Sequence, residues 1–384
     1  MPAAEAVAPA RNARRVGRGG ITPLYVSLST RFCEGSERNG MNRRPLIALQ
    51  LVLLLASASC AAAPTTAPTS QSATYQNPLN VSVADPFIFR EGDTYYLYGT
   101  EAGDGLFVWT SRDLVNWTNR GHAFQRTNAT WSRRDFWAPE LFKHRDKYYL
   151  HFTALGGGKE RDRRTRRVVL AEGDSPLGPF REIKAPWFDV DDGRPVIDGH
   201  VFCDEDGQLY LYTVHLDAPP KHPCFEIHVR KLDAQLKPSA ETTMCISPTL
   251  DWEGKLVNEG PFVLRRGDTY FLTWSANPYW DRNYSVGLAT AKSPLGPWTK
   301  STTSPILKPS DTVSGTGHHC LVDSPDGKEV FIAYHVHRDP TNGKAGRVLA
   351  IDRVRWVEVD GAPTLKVDGP THTPQPMPSG APSR

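Results

Sequence analysis

Residues 91–100 have the sequence EGDTYYLYGT, a polar turn followed by a strand rich in aromatic side chains. Four more stretches share this design: RDKYYLHFT (145–153), DGQLYLYTV (206–214), GDTYFLTWS (267–275) and DGKEVFIAYHV (326–336). Short aromatic and β-branched runs between Gly and Asp turns are typical of β-strands. The five copies therefore predict an all-β chain with an internal repeat.

A short apolar strand precedes each copy, and a third strand follows it. The preceding strands are ADPFIF (84–89), APELF (138–142), IDGHVF (197–202), NEGPFV (258–263) and GHHCLV (317–322). The following strands are LFVWTS (106–111), RRVVLAEG (166–173), EIHVRKLD (226–233), YSVGLATAK (284–292) and RVLAIDRVRW (347–356). Units of three or four strands, about 58 residues apart, predict a five-bladed β-propeller. A β-sandwich, the alternative, does not explain five similar units.

The openings of the five preceding strands carry the candidate functional residues. They align as Asp85, Glu140, Asp198, Glu259 and His318, at intervals of 55, 58, 61 and 59 residues. Because the first strands of propeller blades surround the central axis, these side chains are predicted to converge at one mouth of the channel. Clustered acids raise one another's pKa, which functional sites use when one acid must hold a proton and another must be ionised.

Hydrolysis of a glycosidic bond needs such a set of acids. One carboxylic acid protonates the leaving oxygen, and one carboxylate activates water or attacks the carbon. The long loops after the second strands are predicted to lie on the same face as these acids. One of these loops carries Tyr279 and Trp280, whose flat rings are suited to stack on a sugar.

In this order, ADPFIF, WAPEL, IDGHVF, NEGPFV and SGTGHHC resemble the strand openings of glycoside hydrolase family 43. The resemblance covers about residues 75–360 and implies a five-bladed propeller that acts on arabinose- or xylose-containing polysaccharides. It also implies an inverting mechanism. Asp85 matches the general base, Glu259 the general acid, and Asp198 the residue that raises the pKa of the acid and orients it.

The resemblance also suggests substrate-binding residues. Arg347 matches an arginine that reaches the sugar in the first subsite, and Trp137 matches an aromatic residue lining the same pocket. Arg347 as a solvated strand end and Trp137 as a core residue are the alternatives. Glu140 is expected either to contact substrate or to tie blades together. His318 matches a channel histidine that in many members touches calcium through water, so we expect no required cofactor but a structural calcium in the channel.

The ends of the chain are expected to lie outside the propeller. Residues 1–40 are predicted to be a non-native extension or disordered, and residues 41–60 to form a signal peptide with an arginine pair before an apolar core. Cys60 is then a candidate lipid anchor, with ordinary cleavage near Ala58 or Ala63 as the alternative. Residues 61–74 are predicted to be a linker, residues 75–360 the catalytic domain, and residues 361–384 a C-terminal tail.

The net charge gives no reason to expect nucleic acid. The first 60 residues carry a net charge of +5, whereas the whole chain carries +3, so the remainder is slightly acidic. Among the remaining cysteines, Cys224 and Cys245 are predicted to face each other across a hairpin centred between Ala234 and Gln235. Because the predicted signal peptide indicates export, this pair is expected to form a disulfide.

The sequence predicts a secreted or lipid-anchored monomer that releases α-L-arabinofuranose from the ends of plant polysaccharide side chains. β-Xylosidase and endo-arabinanase activities are the nearest alternatives. A propeller that binds carbohydrate without cleaving it is the alternative from another class.

Overall fold

The computed structural model describes residues 73–100, 103–156, 166–190, 193–216 and 224–383. These residues form five four-stranded antiparallel sheets and one two-stranded sheet, and within them we find short 3-10 helices but no α-helix. Each four-stranded sheet is one blade, with strands in chain order from the inside outwards. The predicted five-bladed propeller is therefore confirmed.

The blades contain the following strands. Blade one has β2 (Ala84–Glu91), β3 (Thr94–Thr100), β4 (Gly105–Ser111) and β5 (Thr118–Gln125). Blade two has β6 (Ser132–His144), β7 (Lys147–Gly156), β8 (Arg166–Gly173) and β9 (Arg181–Lys184). Blade three has β10 (Val196–Cys203), β11 (Leu209–Leu216), β12 (Phe225–Leu232) and β13 (Thr243–Ile246). Blade four has β14 (Asn258–Arg266), β15 (Thr269–Ala276), β16 (Ser285–Ala291) and β17 (Thr299–Lys300). Blade five has β18 (Gly317–Asp323), β19 (Val330–His337), β20 (Arg347–Val359) and β21 (Ala362–Val367). The 3-10 helices span Arg126–Asn128 and Asp251–Glu253.

Large aromatic side chains form the contacts between neighbouring blades. Phe124 of blade one lies 4.7 Å from Phe152 of blade two, measured between ring centroids. Phe271 of blade four lies 5.0 Å from Trp356 of blade five. Each fully buried aromatic ring contributes roughly 2–3 kcal/mol by leaving water, so the repeated aromatic strands explain how the blades hold together.

The two ends of the propeller are joined beside blade five. Strand β1 (Thr74–Tyr75) pairs with β22 (Gln375–Pro376). The Asn77 side chain donates to the carbonyl of Ile351 at 2.7 Å and to the Thr371 hydroxyl at 2.9 Å. The outer strand β21 lies beyond the predicted domain boundary at residue 360, and the chain after it packs against the last blade.

A bulge near the start of every inner strand sets the direction of the channel side chains. The pairing register with the second strand shifts after Ala84, Trp137, Ile197, Glu259 and Gly317. The next residue has a positive φ in every blade: Asp85 (50°), Ala138 (44°), Asp198 (50°), Gly260 (55°) and His318 (46°).

The predicted alignment of the five openings is therefore only partly right. Asp85, Asp198 and His318 occupy equivalent backbone positions, but Glu259 lies one residue before the equivalent position and Glu140 two residues after it. The sequence comparison of the five openings matched acidic residues with one another. The equivalent backbone positions are instead those at the bulges, and in blades two and four the residue at the bulge is not acidic.

The predicted disulfide between Cys224 and Cys245 is not present in the structure. The predicted hairpin centre would place Ile227 opposite Thr242, whereas Ile227 pairs with Ile246. Strand β12 ends at Leu232 and β13 begins only at Thr243, so the longer connection moves Cys245 away from Cys224.

The predictions for residues 1–72, including the signal peptide and Cys60, lie outside the described residues. Within the described part of the chain, no helix has the length and hydrophobicity required to cross a membrane.

Candidate functional site

Asp85 begins the site at the opening of β2. Its backbone at positive φ turns the side chain toward Arg347, whose Nη1 lies 2.6 Å from Asp85 Oδ1. The Nδ1 atom of His318 lies 3.4 Å from the same oxygen. The backbone N–H of Asp85 donates to Nδ1 of His335 at 3.2 Å, which closes the ring between blades one and five.

The charges around Asp85 favour its ionised form. Burial acts to raise its pKa, but the Arg347 guanidinium and then the His318 imidazole outweigh burial, and the pKa lies well below its usual range. Asp85 is 8% exposed, so these charges act with little screening by solvent. It is therefore an ionised carboxylate at neutral pH.

Asp198 lies at the equivalent position in blade three, and two backbone hydrogen bonds fix it. Its own N–H donates to the Thr153 hydroxyl at 3.0 Å, and its Oδ2 accepts the N–H of Gly260 at 3.2 Å. Burial raises the pKa of Asp198 to about 6, and the neighbouring charge of Asp85 raises it too. His318 acts to lower this pKa but does not offset the effect of burial.

Glu259 immediately precedes Gly260, so the backbone bond to Asp198 places the two acids side by side. The Tyr284 hydroxyl donates to Glu259 Oε1 at 2.9 Å. Burial and then the charge of Asp198 raise the pKa of Glu259 well above its usual range, although the Tyr284 hydrogen bond acts in the opposite direction. Glu259 therefore holds its proton under conditions in which Asp85 is ionised.

Glu140 lies at the boundary between blades two and three, and a histidine bridges it to blade four. Nδ1 of His200 lies 2.8 Å from Glu140 Oε2, while Nε2 of His200 accepts the N–H of Val263 at 3.0 Å. Because Nε2 is an acceptor, a neutral His200 carries its proton on Nδ1 and donates it to Glu140. This geometry favours the expectation that Glu140 ties blades together, and its contact with substrate stays a prediction.

His318 and its neighbour His319 face different surroundings. His318 contacts Asp85, and its backbone N–H donates to the Ser275 hydroxyl at 2.7 Å. His319 is buried against Thr273, with 2.7 Å between Nε2 and the hydroxyl, and burial lowers its pKa to about 3. The structure thus places His318, and not His319, beside Asp85.

The described residues contain no set of side chains that could bind the expected calcium directly. No group of three His, Cys, Asp or Glu side chains among them is arranged to hold a metal ion. A calcium held through water at His318 stays a prediction.

Two aromatic residues extend the site beyond the acids. The Arg347 guanidinium lies over the ring of Tyr279 at 4.3 Å, and Tyr279 meets Trp280 edge to face at 5.0 Å. Trp280 is 50% exposed, so part of a large ring is accessible next to Tyr279, which packs against the arginine that contacts Asp85. His337 Nε2 donates to the Tyr279 carbonyl at 2.7 Å and fixes this loop to blade five.

Trp137 occupies in blade two the backbone position that Glu259 occupies in blade four, immediately before the bulge. The Arg166 guanidinium covers one face of its ring at 4.2 Å, and Asp135 holds Arg166 at 2.7 Å. The Trp137 side chain is thus supported from one side, which fits a ring at the edge of a pocket.

Sequence reasoning missed Tyr284 and His335. Their rings stack at 5.4 Å, with Tyr284 bound to Glu259 and His335 bound to Asp85, so together they connect the two acids. A signal was present for His335, because it lies near the end of the fifth copy of the repeated aromatic strand, where the first, second and fourth copies have Thr or Ser. Tyr284 immediately precedes β16 and had no such signal.

The site combines one ionised carboxylate with two buried acids of raised pKa at one mouth of a five-bladed propeller. Such a pair of protonation states can deliver a proton to a leaving oxygen while a base activates water, which defines the class as glycoside hydrolases.

The family model described as glycosyl hydrolases family 43 matches residues 75–363. A solved structure of a thermostable family-43 glycoside hydrolase is 38% identical to this chain, with a TM-score of 0.74, and the match covers 79% of this chain and 99% of that one. The chain belongs to glycosyl hydrolases family 43, as the strand openings predicted, and the inverting mechanism is general to that family.

Two curated relatives are named for activity on furanose sugars. An extracellular exo-α-(1→5)-L-arabinofuranosidase of Streptomyces avermitilis is 29% identical over 79% of this chain and 65% of the relative. A β-D-galactofuranosidase of Aspergillus niger, xynD, is 28% identical over 72% of this chain and 80% of the relative. The match thus spans about two thirds of the length of the Streptomyces protein.

Proposed function

We propose that this chain is an inverting, exo-acting α-L-arabinofuranosidase. Asp85 is the general base, Glu259 is the general acid, and Asp198 raises the pKa of Glu259 and orients it. The observation that carries the proposal is that two acids at the same mouth of the channel have pKa values shifted in opposite directions, downward for Asp85 and upward for Glu259. Arg347 holds Asp85 ionised, whereas burial and Asp198 hold Glu259 protonated.

The hydrogen bond from Tyr284 assigns the two oxygens of Glu259. Oε1 accepts the tyrosine proton, so Oε2 is left to carry the proton that passes to the leaving oxygen. On the opposite side of the sugar, Asp85 takes a proton from water as that water attacks the anomeric carbon. Inverting geometry predicts that the carboxyl groups of Asp85 and Glu259 lie roughly 6.5–9.5 Å apart.

The interlocked loops of blades four and five support exo action. Arg282 donates to the carbonyl of Ser310 at 2.6 Å, and His337 holds the Tyr279 carbonyl. Gly343 lies so close that a Cβ there would come within 2.2 Å of the Trp280 carbonyl oxygen. These loops of blades four and five lie beside Arg347 and Asp85, where they would stop a polymer from passing straight through the site.

The choice of arabinofuranose is supported by the Streptomyces relative, whose name gives that sugar. The name of the Aspergillus relative adds galactofuranose, which shares the five-membered ring. β-Xylosidase and endo-arabinanase stay as alternatives. The aromatic residues Trp137 and Trp280 would contact the sugar and the leaving group, with Arg347 at the sugar hydroxyls.

A substrate panel tests the proposal. The purified enzyme is given nitrophenyl α-L-arabinofuranoside, β-D-xylopyranoside and β-D-galactofuranoside, and separately linear arabinan. We expect fastest release from the arabinofuranoside, arabinose as the only early product from arabinan, and β-arabinofuranose as the first anomer by NMR. Oligosaccharides from arabinan would indicate endo action. No release from any substrate would overturn the proposal, and calorimetric sugar binding without product would then favour a non-catalytic carbohydrate-binding propeller.

We also propose that the enzyme is exported and acts as a monomer at the cell envelope, anchored by lipid on Cys60. The apolar segment before that cysteine and the extracellular Streptomyces relative support export. Intact mass of the mature protein and its partition into detergent, compared with Cys60→Ala, test the anchor. Gel filtration tests the monomer.

A further inference from the structure

The residue at each inner-strand bulge makes a backbone hydrogen bond that crosses between blades. In four blades this N–H donates to a side chain on the second strand of the preceding blade. The accepting residue is always at one fixed position, the one that pairs with the residue just before the bulge of that preceding blade. These contacts are Ala138 to Thr100 (2.9 Å), Asp198 to Thr153 (3.0 Å), His318 to Ser275 (2.7 Å) and Asp85 to His335 (3.2 Å). Two threonines, a serine and a histidine thus serve as acceptors in a regular ring.

The ring is broken at one place. The fixed position in blade three is Val214, which pairs with Ile197 and is fully buried. A valine side chain has no acceptor, so the N–H of Gly260 in blade four cannot make the contact that its equivalents make. Gly260 instead donates to Asp198 Oδ2 at 3.2 Å.

We propose that Val214 is a positioning residue for the two buried acids: by offering no acceptor, it leaves the Gly260 N–H to Asp198 and so holds that carboxylate against the Glu259–Gly260 peptide. This inference rests on the proposed roles of Asp198 and Glu259. A buried N–H without a partner costs about 1–3 kcal/mol, so the pairing with Asp198 is the favoured arrangement once residue 214 is apolar.

Blade one shows what a hydroxyl at this position does. Thr100 accepts the N–H of Ala138, and its hydroxyl also acts on the Asp85 carboxylate, whose pKa it lowers. The hydroxyl therefore stands between a backbone N–H and the acid at the bulge. In blade three the same acid position, Asp198, meets the backbone N–H directly because Val214 inserts nothing between them.

The charged surroundings give the direction of the expected effect. Asp198 is faced by His318, Asp85 and Glu140. Glu259 is faced by Asp198, Tyr284, Asp85 and Arg347, and after burial Asp198 is the largest influence that raises its pKa. A hydroxyl placed between Asp198 and Gly260 would move the carboxylate away from Glu259, weaken that repulsion and lower the pKa of Glu259.

The test compares Val214→Thr and Val214→Ser, which add an acceptor, with Val214→Ala, which adds none. The readout is the pH dependence of kcat/KM on a nitrophenyl arabinofuranoside. We expect the alkaline limb to move to lower pH by about half a unit with Thr and Ser, roughly a threefold change in proton affinity. With Ala we expect the limb to keep its wild-type position. A limb that stays unmoved with Thr and Ser, or moves equally with Ala, would overturn the inference.

A measurement on the unmodified enzyme keeps the inference testable if the hydroxyl variants fail to fold. With ¹⁵N-glycine and ¹³C-glutamate labels, the Gly260 amide is followed by NMR against pH. It should shift with a midpoint near that of Asp198, because its acceptor ionises; an amide that does not titrate would overturn the inference. Lack of glycosidase activity in the wild type would instead overturn the proposed function. The NMR test would still show whether Gly260 donates a hydrogen bond to Asp198.

Discussion

Asp85, Asp198 and His318 have a left-handed backbone that residues with a side chain rarely adopt. Each costs of order 1–3 kcal/mol, and such strain persists where the surrounding structure fixes it. Here the blade-to-blade hydrogen bond of the same residue fixes it, and the result is that three polar side chains turn toward one axis. The strain thus serves the convergence of the site.

Replacing Glu259 with alanine should separate substrates by their leaving groups. A nitrophenolate leaves without a proton, whereas a sugar leaving group needs one, so the loss of the acid should reduce kcat/KM on arabino-oligosaccharides about 10²–10⁴-fold and on the nitrophenyl glycoside far less. Steady-state kinetics on both substrates measures the difference. Asp85→Ala should abolish turnover of both, and equal losses with Glu259→Ala would remove the general-acid assignment.

Replacing Tyr284 with phenylalanine should move the alkaline limb of the pH profile upwards. The tyrosine hydroxyl stabilises the ionised form of Glu259, so its removal raises the pKa of Glu259 further. A general acid works while protonated, and a higher pKa therefore extends activity to higher pH. The profile of kcat/KM measures the shift, with Tyr279→Phe as the matched control. A downward shift would contradict this assignment.

At the scale of elements, the short outer strand β9 fixes the start of β6. The carboxylate of Glu182 accepts the N–H groups of Thr130 (3.0 Å), Trp131 (2.6 Å) and Ser132 (3.1 Å). Those three donors belong to the chain that leads into the inner strand of blade two. A single acid in one blade edge therefore helps to place Trp137 at the channel.

Glu182→Ala should destabilise the protein by about 2–4 kcal/mol, because it leaves buried donors without a charged acceptor. Burial acts to raise the pKa of Glu182, but hydrogen bonds from Ser132 and Thr130 outweigh it and the pKa is lowered. Stability from such a group is present above its unfolded pKa and is lost as pH falls through the folded one. Urea unfolding at neutral and acidic pH should show the gap to wild type narrowing in acid.

Ile183→Ala is the control for that experiment, since Ile183 is the next residue and is 46% exposed. It should change stability by about 0.5 kcal/mol or less. A similar loss for both variants would mean that the strand edge, and not the Glu182 carboxylate, carries the effect.

At the scale of the whole molecule, the propeller is closed by contacts between distant parts of the chain. Asp352 is 1% exposed and accepts the Thr371 hydroxyl at 2.6 Å and the Tyr334 hydroxyl at 2.6 Å. Asn77 donates to Thr371 from the other end of the domain. The residues after blade five therefore join the start of the domain to its last blade.

A chain that ends at residue 368 should melt about 5 °C or more below the full chain. It loses β22, the partner of β1, and leaves the buried Asp352 carboxylate without the Thr371 donors. A chain that ends at residue 380 keeps these contacts and should melt with the full chain. Circular dichroism measures both, and equal melting temperatures for the two truncations would show that the segment does not close the propeller.

The sequence by itself determined the fold and the family. Five copies of a turn and an aromatic strand bury apolar faces only when they are arranged around an axis, so a repeat visible in the letters already defines the propeller. The openings of the inner strands also identified Asp85, Asp198 and Glu259 as the candidate acids, because residues spaced one blade apart converge at the mouth of the channel.

Tertiary structure alone decided which backbone positions are equivalent and which groups set the protonation states. A bulge shifts register without a fixed residue type, so the letters could not show that Glu259 precedes the equivalent position. They also could not show how long the connection between β12 and β13 is, and this length decides that Cys224 and Cys245 do not face each other. The contacts of Asp85 with Arg347 and of Asp198 with Gly260 join residues more than sixty positions apart. Hydrogen bonds and charges act over a few ångströms in space, and only the closed propeller brings these groups that close.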